Sequence, residues 1–131
     1  MKRILIMGLP GAGKTTLARA LQIRLNSAHF NADKVRALFN DWDFSDQGRI
    51  RQSQRMRDLA DACDTDYVIA DFVAPLAEMR TVYDADYVIW MDTIQQSRFE
   101  DTNRVFEPPE TYNLRITDFG YSVDDIAKEL P

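Results

Sequence analysis

Short apolar runs of strand length alternate along this chain with longer stretches in which apolar residues recur every three or four positions. The first run, Arg3 to Met7, is apolar on both faces, as a parallel strand covered by helices on both sides must be. The stretch from Thr15 to about Asn26 then places Leu17, Leu21 and Leu25 on one side of a predicted helix. This alternation predicts an α/β fold in which a mainly parallel sheet lies between two layers of helices.

The same alternation continues along the chain and predicts about five strands in all. Residues 40–45 combine turn formers with two large aromatic side chains and show neither the helical nor the strand period of apolar residues. They are predicted to form a functional loop. The polar span from Asp92 to Tyr112, which Pro108 and Pro109 keep irregular near its end, is predicted to be a long excursion at the ligand edge. The remaining predicted strands are residues 28–31, 66–69, 86–89 and 114–117. Two of the remaining predicted helices are residues 33–39 and 47–63. A third has Pro75 in its first turn and Leu76, Met79 and Val82 on one side, and the last is capped by Ser122 and runs to Leu130.

Length and composition fit one domain spanning residues 1–131. Hydrophobic residues make up 45% of the chain, but no apolar run approaches the roughly 18 residues of a membrane span, so we expect a cytoplasmic protein without a membrane partner. The net charge of −5 argues against charge-driven binding to nucleic acid, while a small anionic ligand in a local basic pocket remains compatible with it. Cys63 and His29 are each the only residue of their kind, so neither forms a disulfide or a metal site alone. We expect a monomer or a homodimer.

Residues 8–16, Gly-Leu-Pro-Gly-Ala-Gly-Lys-Thr-Thr, fit the pattern G-x-x-x-x-G-K-[ST] and stand between the first predicted strand and the first predicted helix. Glycines in such a loop can take positive φ and lack a Cβ, so backbone N–H groups can approach the phosphates of a nucleotide closely. Lys14 would bring a positive charge to the β and γ phosphates, and the hydroxyl of Thr15 would bind Mg²⁺. The pattern therefore predicts a site for ATP and Mg²⁺ made by Gly11, Ala12, Gly13, Lys14, Thr15 and Thr16.

Three acidic residues stand just after predicted strands, at the sheet edge where ligands bind in this class of fold. They are Asp33, Asp71 and Asp92, and each is also compatible with a helix cap or a plain loop residue, the favoured interpretation for Asp92. Function is favoured for Asp33, because Arg36 follows three residues later on the same helical face. Three roles stay open for Asp33: general base, organiser of Mg²⁺ through water, or cap of the helix that follows.

Five segments of the chain match one known family in order: Gly8 to Thr16, Asn31 to Arg36, Phe44-Ser45 with Arg49, Val68 to Pro75 with Arg80, and Phe106 to Pro109. In these segments the chain resembles the adenylylsulfate (APS) kinases, P-loop kinases that phosphorylate the 3′-hydroxyl of APS with MgATP. The resemblance covers nearly the whole chain. It implies the three-layer α/β/α fold of P-loop NTPases and a kinase that uses ATP, Mg²⁺ and a small anionic, nucleotide-like acceptor.

Carried over residue by residue, the resemblance makes Lys14 and Asp33 the candidate catalytic residues, with Asp33 near the acceptor hydroxyl. The implied acceptor-binding residues are the anion-binding pair Arg36 and Arg49, the adenine-stacking Phe44, and also Gln52 and Phe72. The candidate Mg²⁺ ligands are Thr15, from the loop motif, and Asp71, from its position after a predicted strand.

The chain differs from this family at several positions, and two other functions stay open. Asn31 stands where the family has Asp, Asp71 where it has a small residue, and the lid is cut to residues 94–105. A weaker resemblance, to the kinase half of polynucleotide kinases, would make Asp33 a base for a 5′-hydroxyl, although the acidic balance of the chain counts against it. The short lid motivates the third function, an ATP-binding module without efficient transfer, since a lid excludes water and completes the phosphate clamp.

Overall fold

A parallel five-stranded sheet forms the middle layer of the structure, a computed structural model that describes residues 1–131. Six helices connect the strands and cover both faces of the sheet, which confirms the predicted three-layer α/β/α fold. The strands β1 (Lys2–Met7), β2 (Ser27–Asn31), β3 (Tyr67–Asp71), β4 (Tyr87–Met91) and β5 (Leu114–Ile116) pair in the order β2-β3-β1-β4-β5. The helices are α1 (Lys14–Arg24), α2 (Ala32–Phe39), α3 (Asp46–Asp61), α4 (Ala77–Tyr83), α5 (Glu100–Val105) and α6 (Val123–Glu129).

Two apolar cores lie on opposite faces of the sheet, and β1 contributes to both. Ile4 and Ile6 pack with α1 and α6 on one face, whereas Leu5 and Met7 pack with α2, α3 and α4 on the other. All four side chains are fully buried, so the continuous apolar run of β1 follows from its central position between two helical layers. No helix of the structure combines the length and the apolar character needed to cross a lipid bilayer.

Parallel pairing brings the carboxyl ends of the strands to one edge. β1 and β3 pair with Ile6 beside Asp71, and β2 and β3 pair with Asn31 beside Asp71. The end of β3 therefore lies between the ends of β1 and β2, next to the glycine-rich loop that leaves β1. This edge is where a parallel α/β sheet binds ligands.

Two elements differ from the sequence-based prediction. The helix expected to have Pro75 in its first turn begins only at Ala77, because Ala74 takes a positive φ of 46° and Glu107 N–H donates to the Pro75 carbonyl oxygen at 2.7 Å. The polar span predicted to be a long excursion contains α5, a helix of six residues with no buried side chain. Tertiary contacts thus shorten α4. α5 has no apolar face, so no sequence pattern predicts it.

Candidate active site

The loop between β1 and α1, residues 8–13, has the backbone geometry of a phosphate cradle. All three of its glycines have positive φ, a region that L side chains rarely adopt. A Cβ at Gly8 would stand 2.5 Å from the carbonyl oxygen of Met91, so only glycine lets the loop pass this close to the end of β4. The Thr93 hydroxyl donates to the Ala12 carbonyl oxygen at 2.7 Å and ties the loop to the segment after β4.

The first turn of α1, residues 14–16, continues directly from this loop. Lys14 is 8% exposed, and its Nζ donates to the carbonyl oxygen of Leu9 at 2.9 Å. Burial lowers the pKa of Lys14 from 10.5 to about 8, and the negative charges of Asp71 and Asp33 act in the opposite direction. A buried amine whose hydrogen-bond partner is a single carbonyl oxygen is well suited to receive an anion.

Asp71, the last residue of β3, is the only acidic residue that the fold buries. Its Oδ1 accepts a hydrogen bond from Thr15 Oγ1 at 3.2 Å, and its Oδ2 accepts from His29 Nε2 at 2.8 Å and from Asn31 Nδ2 at 3.2 Å. Alternate residues of a strand point to the same face, so His29 and Asn31 both point to the Asp71 side of the sheet. The two predicted Mg²⁺ ligands, Thr15 and Asp71, are therefore in direct contact.

Asp33 lies in the first turn of α2, but it does not cap that helix. The N-cap is Asn31, whose Oδ1 accepts from the backbone N–H of Lys34 at 3.1 Å. The Asp33 side chain is exposed, has no hydrogen-bond partner within the chain, and lines the cavity described below. The N-cap position belongs to Asn31, so two of the three roles considered for Asp33 remain: general base and organiser of Mg²⁺ through water.

Arg36 and Arg49 lie against the ring of Phe44, with their Cζ atoms 4.3 Å and 5.6 Å from its centroid. Both side chains are buried and donate to backbone carbonyls: Arg36 to those of Asp41 and Asp43, and Arg49 to that of Phe44. Burial lowers the pKa of both guanidinium groups, and neither forms an ion pair. Two such groups side by side are strong candidates for binding an anion.

Gln52 and Phe72 line the same cavity, although both are engaged by other residues of the chain. Gln52 Nε2 donates to the Ala32 carbonyl oxygen at 3.0 Å, while its Oε1 accepts from Arg55 at 2.9 Å. Phe72 packs edge to face against Tyr83, with ring centroids 5.8 Å apart. Gln52 therefore ties α3 to the start of α2, and Phe72 forms an apolar wall.

One cavity of about 390 Å³ joins these groups and has the size usual for a small-molecule site. The segment around α5 forms a further wall of the cavity, which Arg98, Phe99 and Thr102 line. The predicted site residues that line it are Gly11, Lys14, Thr15, Asp33, Arg36, Phe44, Arg49, Gln52, Asp71 and Phe72.

Two side chains at the site were not indicated by the sequence patterns. The pairing of β2 with β3 brings His29 next to Asp71. The only sign of this in the sequence is that His29 stands two residues before Asn31. Arg98 lies in the polar span predicted to be a long excursion; its guanidinium lies 4.9 Å from the Phe99 ring centroid and forms no ion pair. Asp92, by contrast, is not part of the cavity and pairs with Arg115 at 2.6 Å.

The parallel sheet, the glycine-rich loop and the buried lysine that follows it define a P-loop nucleotide-binding domain. Residues 4–105 match the family model of the AAA domain AAA_18, and the chain belongs to that family. A search of curated protein sequences finds no match.

Solved structures place the fold among the P-loop kinases. The Mycobacterium tuberculosis APS kinase in complex with AMPPNP and APS has a TM-score of 0.76 and 20% identity, over 98% of this chain and 94% of that one. The hexameric APS kinase from Thiobacillus denitrificans has a TM-score of 0.69 and 26% identity, over 97% of this chain and 27% of that one. The Aquifex aeolicus shikimate kinase has a TM-score of 0.63 and 14% identity, over 97% of this chain and 92% of that one. The fold expected from the resemblance to APS kinases is thus confirmed.

Proposed function

We propose that this protein is an ATP-dependent kinase that transfers the γ-phosphate of MgATP to a hydroxyl of a small anionic acceptor, of the nucleotide-like kind that APS represents. One observation carries the proposal. A single cavity is lined by a phosphate-binding loop, by two buried guanidinium groups without carboxylate partners, and by a carboxylate with no hydrogen-bond partner.

The glycine-rich loop and the start of α1 supply the nucleotide side. Backbone N–H groups at a helix N-terminus favour phosphate oxygens, and Lys14 adds a positive charge at the same place. The similarity to an APS kinase solved with AMPPNP supports this assignment. ATP would lie with its β and γ phosphates on the loop and on Lys14.

Thr15 and Asp71 fit the requirements of Mg²⁺. Hydroxyl and carboxylate oxygens suit this ion, which is usually held by one or two protein groups together with phosphate oxygens and water. The two side chains are in contact at 3.2 Å at the end of the loop. When bound, Mg²⁺ would neutralise charge on the phosphates during transfer.

The remaining walls supply the acceptor side. Arg36 and Arg49 would bind the anionic group of the acceptor, and its hydroxyl would lie between Asp33 and the γ-phosphate. Asp33 would accept the hydroxyl proton while the new O–P bond forms and the bond between the γ-phosphorus and the β–γ bridging oxygen breaks, which releases ADP. Lys14, Asp33 and Arg36 line the same cavity, and the charge of Asp33 raises the pKa of both Lys14 and Arg36 against the larger effect of burial.

The test is label transfer from γ-labelled MgATP to a panel of acceptors: APS, shikimate, gluconate, neutral nucleosides and 5′-hydroxyl oligonucleotides. We expect transfer to a small anionic acceptor and none to neutral nucleosides. Transfer to oligonucleotides alone would replace the proposal with a polynucleotide kinase. Tight ATP binding without transfer to any acceptor would replace it with an ATP-binding module.

The nucleotide half of the proposal has its own matched pair of variants. Lys14→Ala removes the charge proposed to meet the β and γ phosphates, so it should weaken ATP binding and abolish most of the transfer. Lys128→Ala removes an exposed lysine of α6 and should change neither. Equal ATP affinity in the two variants would show that the loop is not the nucleotide site.

A further inference from the structure

Both oxygens of Asp71 accept hydrogen bonds, but from different residues. His29 and Asn31 both donate to Oδ2, at 2.8 Å and 3.2 Å, while Oδ1 accepts only from the Thr15 hydroxyl at 3.2 Å. The shortest of these bonds comes from His29, whose side chain is 10% exposed. The carboxylate is therefore held in one orientation, with Oδ1 towards the P-loop.

The imidazole of His29 contacts Asp71 through Nε2 alone. Carboxylate oxygens accept hydrogen bonds, so Nε2 is assigned as the donor to Asp71 Oδ2. Nδ1 of the ring has no hydrogen-bond partner within the chain. His29 thus has one polar contact in the fold, and that contact is Asp71.

Neither the P-loop motif nor the acceptor site accounts for this histidine. It does not line the cavity, so it cannot touch a substrate there. It reaches Asp71 because β2 and β3 pair with Asn31 beside Asp71, which puts the residue two positions earlier diagonally next to the same carboxylate. Any effect of His29 on the site must therefore pass through Asp71.

We infer that His29 is a positioning residue: its bond to Oδ2 holds Asp71 so that Oδ1 remains directed at the Thr15 hydroxyl, where the divalent cation of the proposed kinase would bind. The inference rests on the proposed function for the place of the cation, but it concerns cation binding and makes no claim about transfer. Residues that orient a metal ligand typically change metal affinity by about 10- to 100-fold when they are lost.

Three substitutions separate positioning from packing. Gln places its amide nitrogen near the position of Nε2 and can donate the same bond, whereas Asn places it near Nδ1, one atom too short to reach. Leu fills the space without any donor. The readout is the ratio of nucleotide affinity in Mg²⁺ to that in EDTA, measured with ADP by calorimetry, together with binding of Mn²⁺ to the ADP complex followed by its paramagnetic resonance.

We expect His29→Leu and His29→Asn to lower the Mg²⁺-dependent gain in ADP affinity by on the order of tenfold, with the affinity in EDTA unchanged, and His29→Gln to retain it. In the Asp71→Asn background, His29→Leu should add nothing, because the effect passes through that carboxylate. Equal losses in the Gln and Leu variants, or the same loss without Asp71, would overturn the inference. Should the Leu variant not fold, the Gln and Asn pair still decides.

Failure of this inference and failure of the kinase proposal are distinguishable. A wild-type protein that binds ADP more tightly in Mg²⁺, loses that gain in His29→Asn, and transfers phosphate to no acceptor would support His29 and overturn the kinase. A wild-type protein whose ADP affinity is the same in Mg²⁺ and EDTA would overturn the role of His29, whatever its transfer activity.

Discussion

Replacing Asp33 by Asn tests the proposed base with little disturbance of the fold. The substitution removes a negative charge and the capacity to accept a proton but keeps the shape of the side chain. The helix cap stays in place, since it belongs to Asn31, and Asp33 makes no hydrogen bond that would be lost. Any large effect must therefore come from the chemistry in the cavity that Asp33 lines.

The expected magnitudes differ sharply between turnover and stability. A positioned base contributes roughly 10²- to 10⁴-fold, so turnover should fall by that factor. An acidic residue in the first helical turn stabilises the helix by about 0.3–1 kcal/mol, so the melting temperature should fall by no more than a few degrees. The assay is single-turnover transfer from labelled MgATP at saturating acceptor, with calorimetry on the same samples.

Ser122→Ala provides the matched control for a cap. The Ser122 hydroxyl accepts from the backbone N–H of Asp125 at 3.2 Å at the start of α6, outside the cavity. Its loss should cost about 1 kcal/mol of stability and leave turnover unchanged. An Asp33→Asn enzyme with wild-type turnover, or one whose only change matches that of Ser122→Ala, would refute our assignment and make Asp71 the remaining candidate base.

The other predictions concern the loop, the acceptor and the buried lysine. Gly48→Ala would place a Cβ in steric conflict with the Asp43 carbonyl oxygen, so the free energy of unfolding measured in thermal melts should fall by roughly 1–3 kcal/mol; an unchanged melt would contradict this contact. Arg49→Ala should raise the acceptor KM by about 10- to 100-fold and leave ATP affinity, measured by calorimetry, nearly unchanged; equal damage to ATP binding would assign Arg49 to the nucleotide. ATP binding near pH 8 should take up protons, because phosphates raise the pKa of Lys14 from about 8, and calorimetry in two buffers should show this in the wild type but not in Lys14→Ala.

The elements that could be predicted from the sequence are those whose signal is local. β1 is an unbroken apolar run, α1 repeats leucine at helical spacing, and the glycine-rich loop between them is a contiguous motif. The motif contains Lys14 and Thr15, and Asp33 stands just after a predicted strand and three residues before Arg36. Each of these inferences needed fewer than a dozen neighbouring residues.

The features that could not be predicted depend on contacts between distant segments. α4 starts late because the backbone N–H of Glu107, a residue distant in the sequence, donates to the Pro75 carbonyl oxygen. α5 has no buried side chain and hence no apolar period. The bond between His29 and Asp71 joins residues 42 positions apart and depends on strand register, which no local pattern specifies.

Asp33 and Asp71 lie at the same edge of the sheet, but their surroundings give them different chemistry. Asp71 is buried and accepts two hydrogen bonds on Oδ2 and one on Oδ1, so its position is fixed while Oδ1 keeps a lone pair for a cation. Asp33 is exposed to the cavity and has no donor, so its lone pairs are free to receive a proton. Two carboxylates in contrasting environments are the usual basis for dividing roles within an active site. Asp71 contacts the Thr15 hydroxyl. We therefore propose Asp71 as a cation ligand and Asp33 as the proton acceptor.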